Sequence, residues 1–146
     1  SNVIDICSGT GALGIEALSR GAKFIYFIDK DPKAIDVLQK NISKLKIDNK
    51  DKTYIKIIKE DALKALQDIK IVFDVVLIDP PYNSNVIEEC LVKLKQYNLI
   101  DFYSYVFAES SKKENFNFDG FDLLDTKIYG KSKLTILKLS NSGSIE

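Results

Sequence analysis

Apolar and polar positions along this chain follow two periods that take turns. Unbroken apolar runs of four to eight residues read as buried strands, and apolar residues three and four apart read as one face of a helix. Strand patterns cover residues 3–6, 24–28, 54–58, 73–78 and 104–108. Between them lie helix patterns. Residues 12–20 put Leu13, Ala17 and Leu18 on one face, with Gly21 as a stop. The next helix starts from Asp31 as cap and Pro32 at its first position, and carries Ile35, Leu38, Ile42 and Leu45. A short helix covers 62–68, and a longer one, 85–96, turns Ile87, Leu91 and Leu94 inward. Residues 121–129 and 133–139 predict a closing hairpin around Gly130-Lys131-Ser132.

Strands that alternate with helices require a parallel sheet covered on both faces. The hairpin makes the last strand run backwards. The expected fold is therefore α/β: a doubly wound, mostly parallel, seven-stranded sheet with a reversed C-terminal strand. The expected organisation is a single domain over 1–140, followed by a small polar tail over 141–146 that frays.

Composition narrows the chemistry. The chain has 146 residues, enough for one domain with a real core, and is 45% hydrophobic and 29% charged. It shows neither a membrane-length apolar stretch nor a signal-peptide pattern, so a cytoplasmic protein is expected. Cys7 and Cys90 match no metal or disulfide spacing. There is no histidine, which excludes Ser-His and Cys-His nucleophile systems and any histidine-ligated metal. A formal net charge of zero argues against gripping nucleic acid by bulk charge, but leaves room for a local basic rim from Lys112, Lys113, Lys127, Lys131 and Lys133. Lysines on exposed loops are also commonly just solvated. Methionine is absent even at position 1, and a strand begins at Val3, so the chain reads as a fragment lacking an N-terminal segment.

Two segments carry chemistry. Asp79-Pro80-Pro81-Tyr82 follows the fourth apolar run directly. Two prolines cannot continue a strand, so an acid, a rigid turn and an aromatic ring stand at the carboxyl edge of the sheet, where open α/β sheets bind ligands. Asp79 and a turn carbonyl could accept from an amine, and Tyr82 could stack on a planar group. A plain Pro-Pro turn with a solvated acid is the competing reading.

The second segment follows the first strand. Gly9, Gly11 and Gly14 formally satisfy a dinucleotide fingerprint, and Asp29 stands where it could accept from ribose hydroxyls. Asp5, an acid on the strand itself, would repel a pyrophosphate. An ammonium-bearing and carboxylate-bearing ligand, such as the methionine part of S-adenosyl-L-methionine, could use both Asp5 and the loop amides. Asp61 could accept from an adenine amine, with the Ala62 amide donating to a ring nitrogen, or could simply cap the next helix. Asp31 reads as a cap, and Cys7 as a small packing residue.

The run at 5–22, Asp-Ile-Cys-Ser-Gly-Thr-Gly-Ala-Leu-Gly-Ile-Glu-Ala-Leu-Ser-Arg-Gly-Ala, resembles the glycine-loop signature of bacterial class I methyltransferases of the RsmD-like family. Asp29-Lys30-Asp31, Asp61-Ala62-Leu63, Asp79-Pro80-Pro81-Tyr82 and Tyr129-Gly130 are similar to that family's later motifs, in order and spacing. The resemblance implies a Rossmann-like fold and a monomeric enzyme that methylates the exocyclic amine of one guanine in 16S ribosomal RNA, possessed either free or within the small ribosomal subunit. It implies that Asp5, Gly9 and Gly11 hold the methionine end of S-adenosyl-L-methionine, Asp29 the ribose, and Asp61 with Ala62 the adenine. Asp79, Pro80 and Tyr82 would hold the target base. The family also carries a basic N-terminal arm, which this sequence lacks.

Other classes share parts of this pattern. Related motifs elsewhere act on DNA adenine or protein glutamine, commonly with Asn in place of Asp79. A non-catalytic RNA-binding or ribosome-assembly module could keep the fold. A nicotinamide-dependent oxidoreductase lacks an acid–base pair for hydride chemistry.

Overall fold

Every apolar run that the sequence marks as a strand enters one seven-stranded sheet in the computed structural model, which describes residues 1–9, 11–45, 53–81 and 85–141. The strands are β1 (Asn2–Ile6), β2 (Phe24–Asp29), β3 (Tyr54–Lys59), β4 (Val75–Ile78), β5 (Tyr105–Ser111), β6 (Phe121–Tyr129) and β7 (Ser132–Leu139). The helices are α1 (Ala12–Ser19), α2 (Pro32–Ser43), α3 (Ala62–Asp68) and α4 (Val86–Gln96). The strand order is β3-β2-β1-β4-β5-β7-β6. Strands β1 to β5 pair in parallel, and β7 is antiparallel to both β5 and β6. The chain's direction across the sheet reverses between β1 and β4, which makes that crevice the topological switch point.

The period-2 alternation of the strands divides the core into two layers. Ile4, Ile6, Tyr26, Ile28, Val76 and Ile78 face α3 and α4, against Leu66, Ile87, Cys90, Leu91 and Leu94. Val3, Ile25, Phe27 and Leu77 face α1 and α2, against Ile35 and Leu38. Full burial of each such Ile or Leu contributes about 1.5–3 kcal/mol. Cys90 completes the α4 stripe, a position that its helical spacing from Ile87 and Leu94 could have marked.

Local signals explain the helix ends. Asp31 caps α2 by accepting the Lys33 amide at 3.0 Å, and Pro32 takes the first position. Asp61 caps α3 by accepting the Lys64 amide at 3.4 Å. The face expected on α1 is only half-buried at Leu13, Ala17 and Leu18; Gly14 is its buried residue.

Several boundaries move by one residue from the sequence expectation, and three shifts have a clear cause. Strand β4 starts at Val75, because Phe73 leaves the parallel ladder and donates its amide to the Leu99 carbonyl. Strand β5 runs on to Ser111, because the antiparallel partner β7 keeps pairing past the point where β4 stops. Ser132 belongs to β7, so the hairpin turn is Gly130-Lys131 alone. Of the polar tail, 142–146 lie outside the described residues.

Candidate active site

Register alone brings the acids together. Ile6 pairs with Ile28 on one side and Ile78 on the other, and Ile78 pairs with Ala108. The residues that follow those pairs therefore share one edge: Cys7 after β1, Asp29 at the end of β2, Asp79 after β4, and Glu109 on β5. Glu60 and Asp61 follow β3 at the same edge, where the Glu60 amide donates to the Asp29 carbonyl at 3.1 Å.

The glycine loop is built by backbone geometry that most side chains disfavour. Cys7, Gly9 and Gly11 have φ of 60°, 55° and 80°. The Ser8 amide and hydroxyl both donate to the Ile28 carbonyl, and the Gly11 amide donates to the Ser8 carbonyl. A Cβ on Gly11 would lie 2.2 Å from the Leu38 side chain, whereas a Cβ on Gly9 would enter open space. Gly9 thus leaves backbone accessible on the cleft side, and among the described residues no side chain caps the amino end of α1.

Asp5 stands on β1 in register with Phe27 and Leu77, on the face that α1 covers, and is only 1% exposed. Its Oδ2 accepts the Gly14 amide at 3.0 Å, while its Oδ1 is buried without a partner among the described residues. Burial pushes its carboxyl up to about 7, with Asp79 and Asp29 adding repulsion and the Gly14 amide opposing. An orphaned acceptor in such surroundings costs stability unless a ligand donor meets it.

Asp29 is half-buried and already engaged. Its Oδ2 accepts the Gly9 amide at 2.7 Å, and its Oδ1 accepts the Asp31 amide at 3.0 Å. Each oxygen keeps a second lone pair for a ligand. Asp79 is exposed, with its amide donating to the Ile6 carbonyl at 3.4 Å, and Pro80 beneath it is buried. Partial burial of the Asp79 carboxyl, and then Glu109, raise it to about 6. Asp5, Cys7, Ser8, Gly9, Ala12, Leu13 and Asp79 line a common cleft.

Cys7 reports the convergence. Burial pushes its thiol up to about 11, and Asp29, Asp5, Asp61 and Asp79 all add to the effect. Acids on or after four neighbouring strands thus all act on one thiol, which stays protonated and unreactive at neutral pH. Among the described residues no group of His, Cys, Asp and Glu has the arrangement of a metal site, and no helix is long and apolar enough to cross a membrane. Tyr82 lies outside the described residues, as does Thr10 of the loop.

The lysines of the expected rim gather on the same edge. The Lys112 amide donates to the Lys131 carbonyl at 2.7 Å, which closes the hairpin onto the end of β5. Lys112, Lys113, Lys127 and Lys131 are exposed, and Lys133 donates through Nζ to the Glu114 carbonyl at 2.7 Å. Glu109 is the site-edge residue that sequence reasoning missed. It lies one residue past the strand read at 104–108, and as a polar residue there signals nothing by itself.

Comparison with known proteins gives a consistent result. The family model described as "Conserved hypothetical protein 95" matches residues 1–138. YlbH of Bacillus subtilis (strain 168) is 30% identical over 137 residues, spanning 92% of this chain and 74% of that protein. A Haemophilus influenzae protein named "Ribosomal RNA small subunit methyltransferase D" is 34% identical over 112 residues; the match takes in 77% of this chain and 58% of that protein. A solved structure titled as a conserved hypothetical protein of Streptococcus pyogenes superposes with a TM-score of 0.84 at 30% identity, covering 95% of this chain and 86% of that one.

Proposed function

This chain belongs to the RsmD-like family of class I methyltransferases, and from that premise we propose that it transfers a methyl group from S-adenosyl-L-methionine to the exocyclic amine of a guanine in 16S ribosomal RNA. The observation that carries the reading is the meeting of Asp5 and Asp79 in one cleft beside the glycine loop. The residues present suit that cofactor. The unpartnered Asp5 Oδ1 is a ready acceptor for the ammonium of a methionine moiety, and Gly9 offers backbone with no Cβ in the way. Asp29 would accept from the ribose hydroxyls, and Asp61 with the Ala62 amide would hold the adenine.

The cofactor, when bound, supplies an electrophilic methyl group on a positively charged sulfur. The protein's contribution is alignment, worth roughly 7–11 kcal/mol at best. Guanine's amine is a poor nucleophile because its lone pair is delocalised into the ring. Asp79 and the Pro80 carbonyl would accept hydrogen bonds from its two N–H groups, which lets the nitrogen pyramidalise and aim the lone pair. Asp79 then takes a proton as positive charge develops, and a carboxyl with its pKa near 6 is matched to that task at neutral pH. Tyr82 would stack on the base, a contact worth about 1–3 kcal/mol. The base must be unpaired or flipped out to enter. Such a substrate is met in the cytoplasm, on a small subunit or its precursor RNA.

Mass-spectrometric mapping of 16S ribosomal RNA tests the reading. Cells without the gene should lack one methylated guanine, and the gene should restore it. An unchanged methylation map would overturn the reading.

A further inference from the structure

The site contains an acid that the proposed chemistry does not use. Leu77 of β4 pairs with Phe107 of β5, and both point to the α1 and α2 layer. Glu109 stands two residues past Phe107 on β5, on that same face by alternation. Asp79, just past the end of β4, opens into the cleft with Asp5 and Leu13, close enough to Glu109 for the two carboxylates to repel. Glu109 is half-buried, and its carboxylate makes no hydrogen bond or ion pair with a described residue. It bears on the site by repelling Asp79. Two ionised carboxylates side by side accept hydrogen bonds and donate none. Left unpaired they repel, so the pair suits a ligand with donors in a row.

Guanine is such a ligand. Its ring N1–H lies beside its exocyclic amine, giving three N–H bonds along one edge. Adenine places an acceptor nitrogen next to its amine, and a glutamine side chain places a carbonyl oxygen there. Either would set lone pairs against a carboxylate. We infer that Glu109 selects guanine: standing beside Asp79 on the neighbouring strand, it accepts the ring N1–H of the base whose amine Asp79 engages. This rests on the guanine-amine reading above, and Glu109 adds the discrimination that Asp79 alone cannot make.

The test uses the RNA segment that the methylation mapping identifies, synthesised with either guanine or 2-aminopurine at the target position. 2-Aminopurine keeps the amine but replaces N1–H by a bare nitrogen. Wild-type protein should prefer guanine in kcat/KM by at least about tenfold, and Glu109→Gln should shrink that preference roughly 10- to 100-fold, since Gln can donate as well as accept. S-adenosylhomocysteine binding should be unchanged in the variant, which separates selectivity from folding. Glu109→Ala gives a second variant that should also lose the preference. If wild-type protein treats the two bases alike, or if both variants slow both substrates equally, the assignment to Glu109 falls. If wild-type protein fails on the guanine strand as well, the parent reading falls with it.

Discussion

The Asp29 carboxylate accepts the Gly9 amide at 2.7 Å, so the acid expected to hold a ribose also holds the glycine loop. Its other oxygen takes the Asp31 amide and fixes the start of α2. One side chain therefore joins β2, the loop and a helix cap before any ligand arrives. Asp29→Ala should weaken S-adenosylhomocysteine binding roughly 10- to 100-fold, as expected for losing charged hydrogen bonds worth about 1.5–3 kcal/mol. Calorimetry checks this; an affinity within a factor of two of wild type would show that the loop is held otherwise.

Asp5 makes ligand binding and stability pull in opposite directions. Its folded-state pKa is raised from 3.8 to about 7. Below pH 3.8 both folded and unfolded states hold the proton, and the group costs nothing. Between 3.8 and about 7 the unfolded state releases its proton first, so stability falls as pH rises. Asp5→Asn should stabilise the fold at pH 8 by on the order of 1–4 kcal/mol, seen as a higher Tm, and the gain should vanish near pH 4. The same substitution should abolish cofactor binding, and wild-type affinity should climb with pH up to about 7 as Asp5 ionises to meet a cation. Thermal melts at the two pH values, with calorimetry alongside, read both effects.

Gly14 lets α1 lie close on the sheet. A Cβ there would sit 2.3 Å from the Phe27 ring and 2.8 Å from Asp5 Oδ2. Phe27 is fully buried and cannot yield. Gly14→Ala should cost about 1–3 kcal/mol by overpacking and disturb the Asp5 acceptor as well. Denaturant unfolding would reveal it, and an unaltered midpoint would mean that the helix shifts freely.

Asp79 separates binding from chemistry. Asp79→Ala should remove methyl transfer while leaving S-adenosylhomocysteine affinity within a few-fold of wild type. In the wild type, activity should fall as pH drops through about 6, where the carboxyl takes up its proton. Loss of cofactor binding in the variant would assign Asp79 to the cofactor instead.

The lysine edge is testable through salt. RNA affinity should fall with added salt, and Lys112→Ala with Lys131→Ala should flatten the log–log slope by about 0.7–0.9 per residue that touches a phosphate. A slope unmoved by both changes would leave those side chains as solvent-facing charge.

The sequence by itself determined the alternation of strands and helices, the caps at Asp31 and Asp61, and the glycine loop, because each depends on neighbours within a few residues. It also marked Asp5, Asp29 and Asp79, since acids that interrupt or end apolar runs stand out. Tertiary structure alone decided that these acids, with Asp61, meet at one edge and act on Cys7, because parallel register between strands far apart in sequence sets which ends meet. Glu109 shows the limit most plainly. Within β5 it is one polar position in an alternating strand, and only the pairing of β4 with β5 puts its carboxylate beside Asp79.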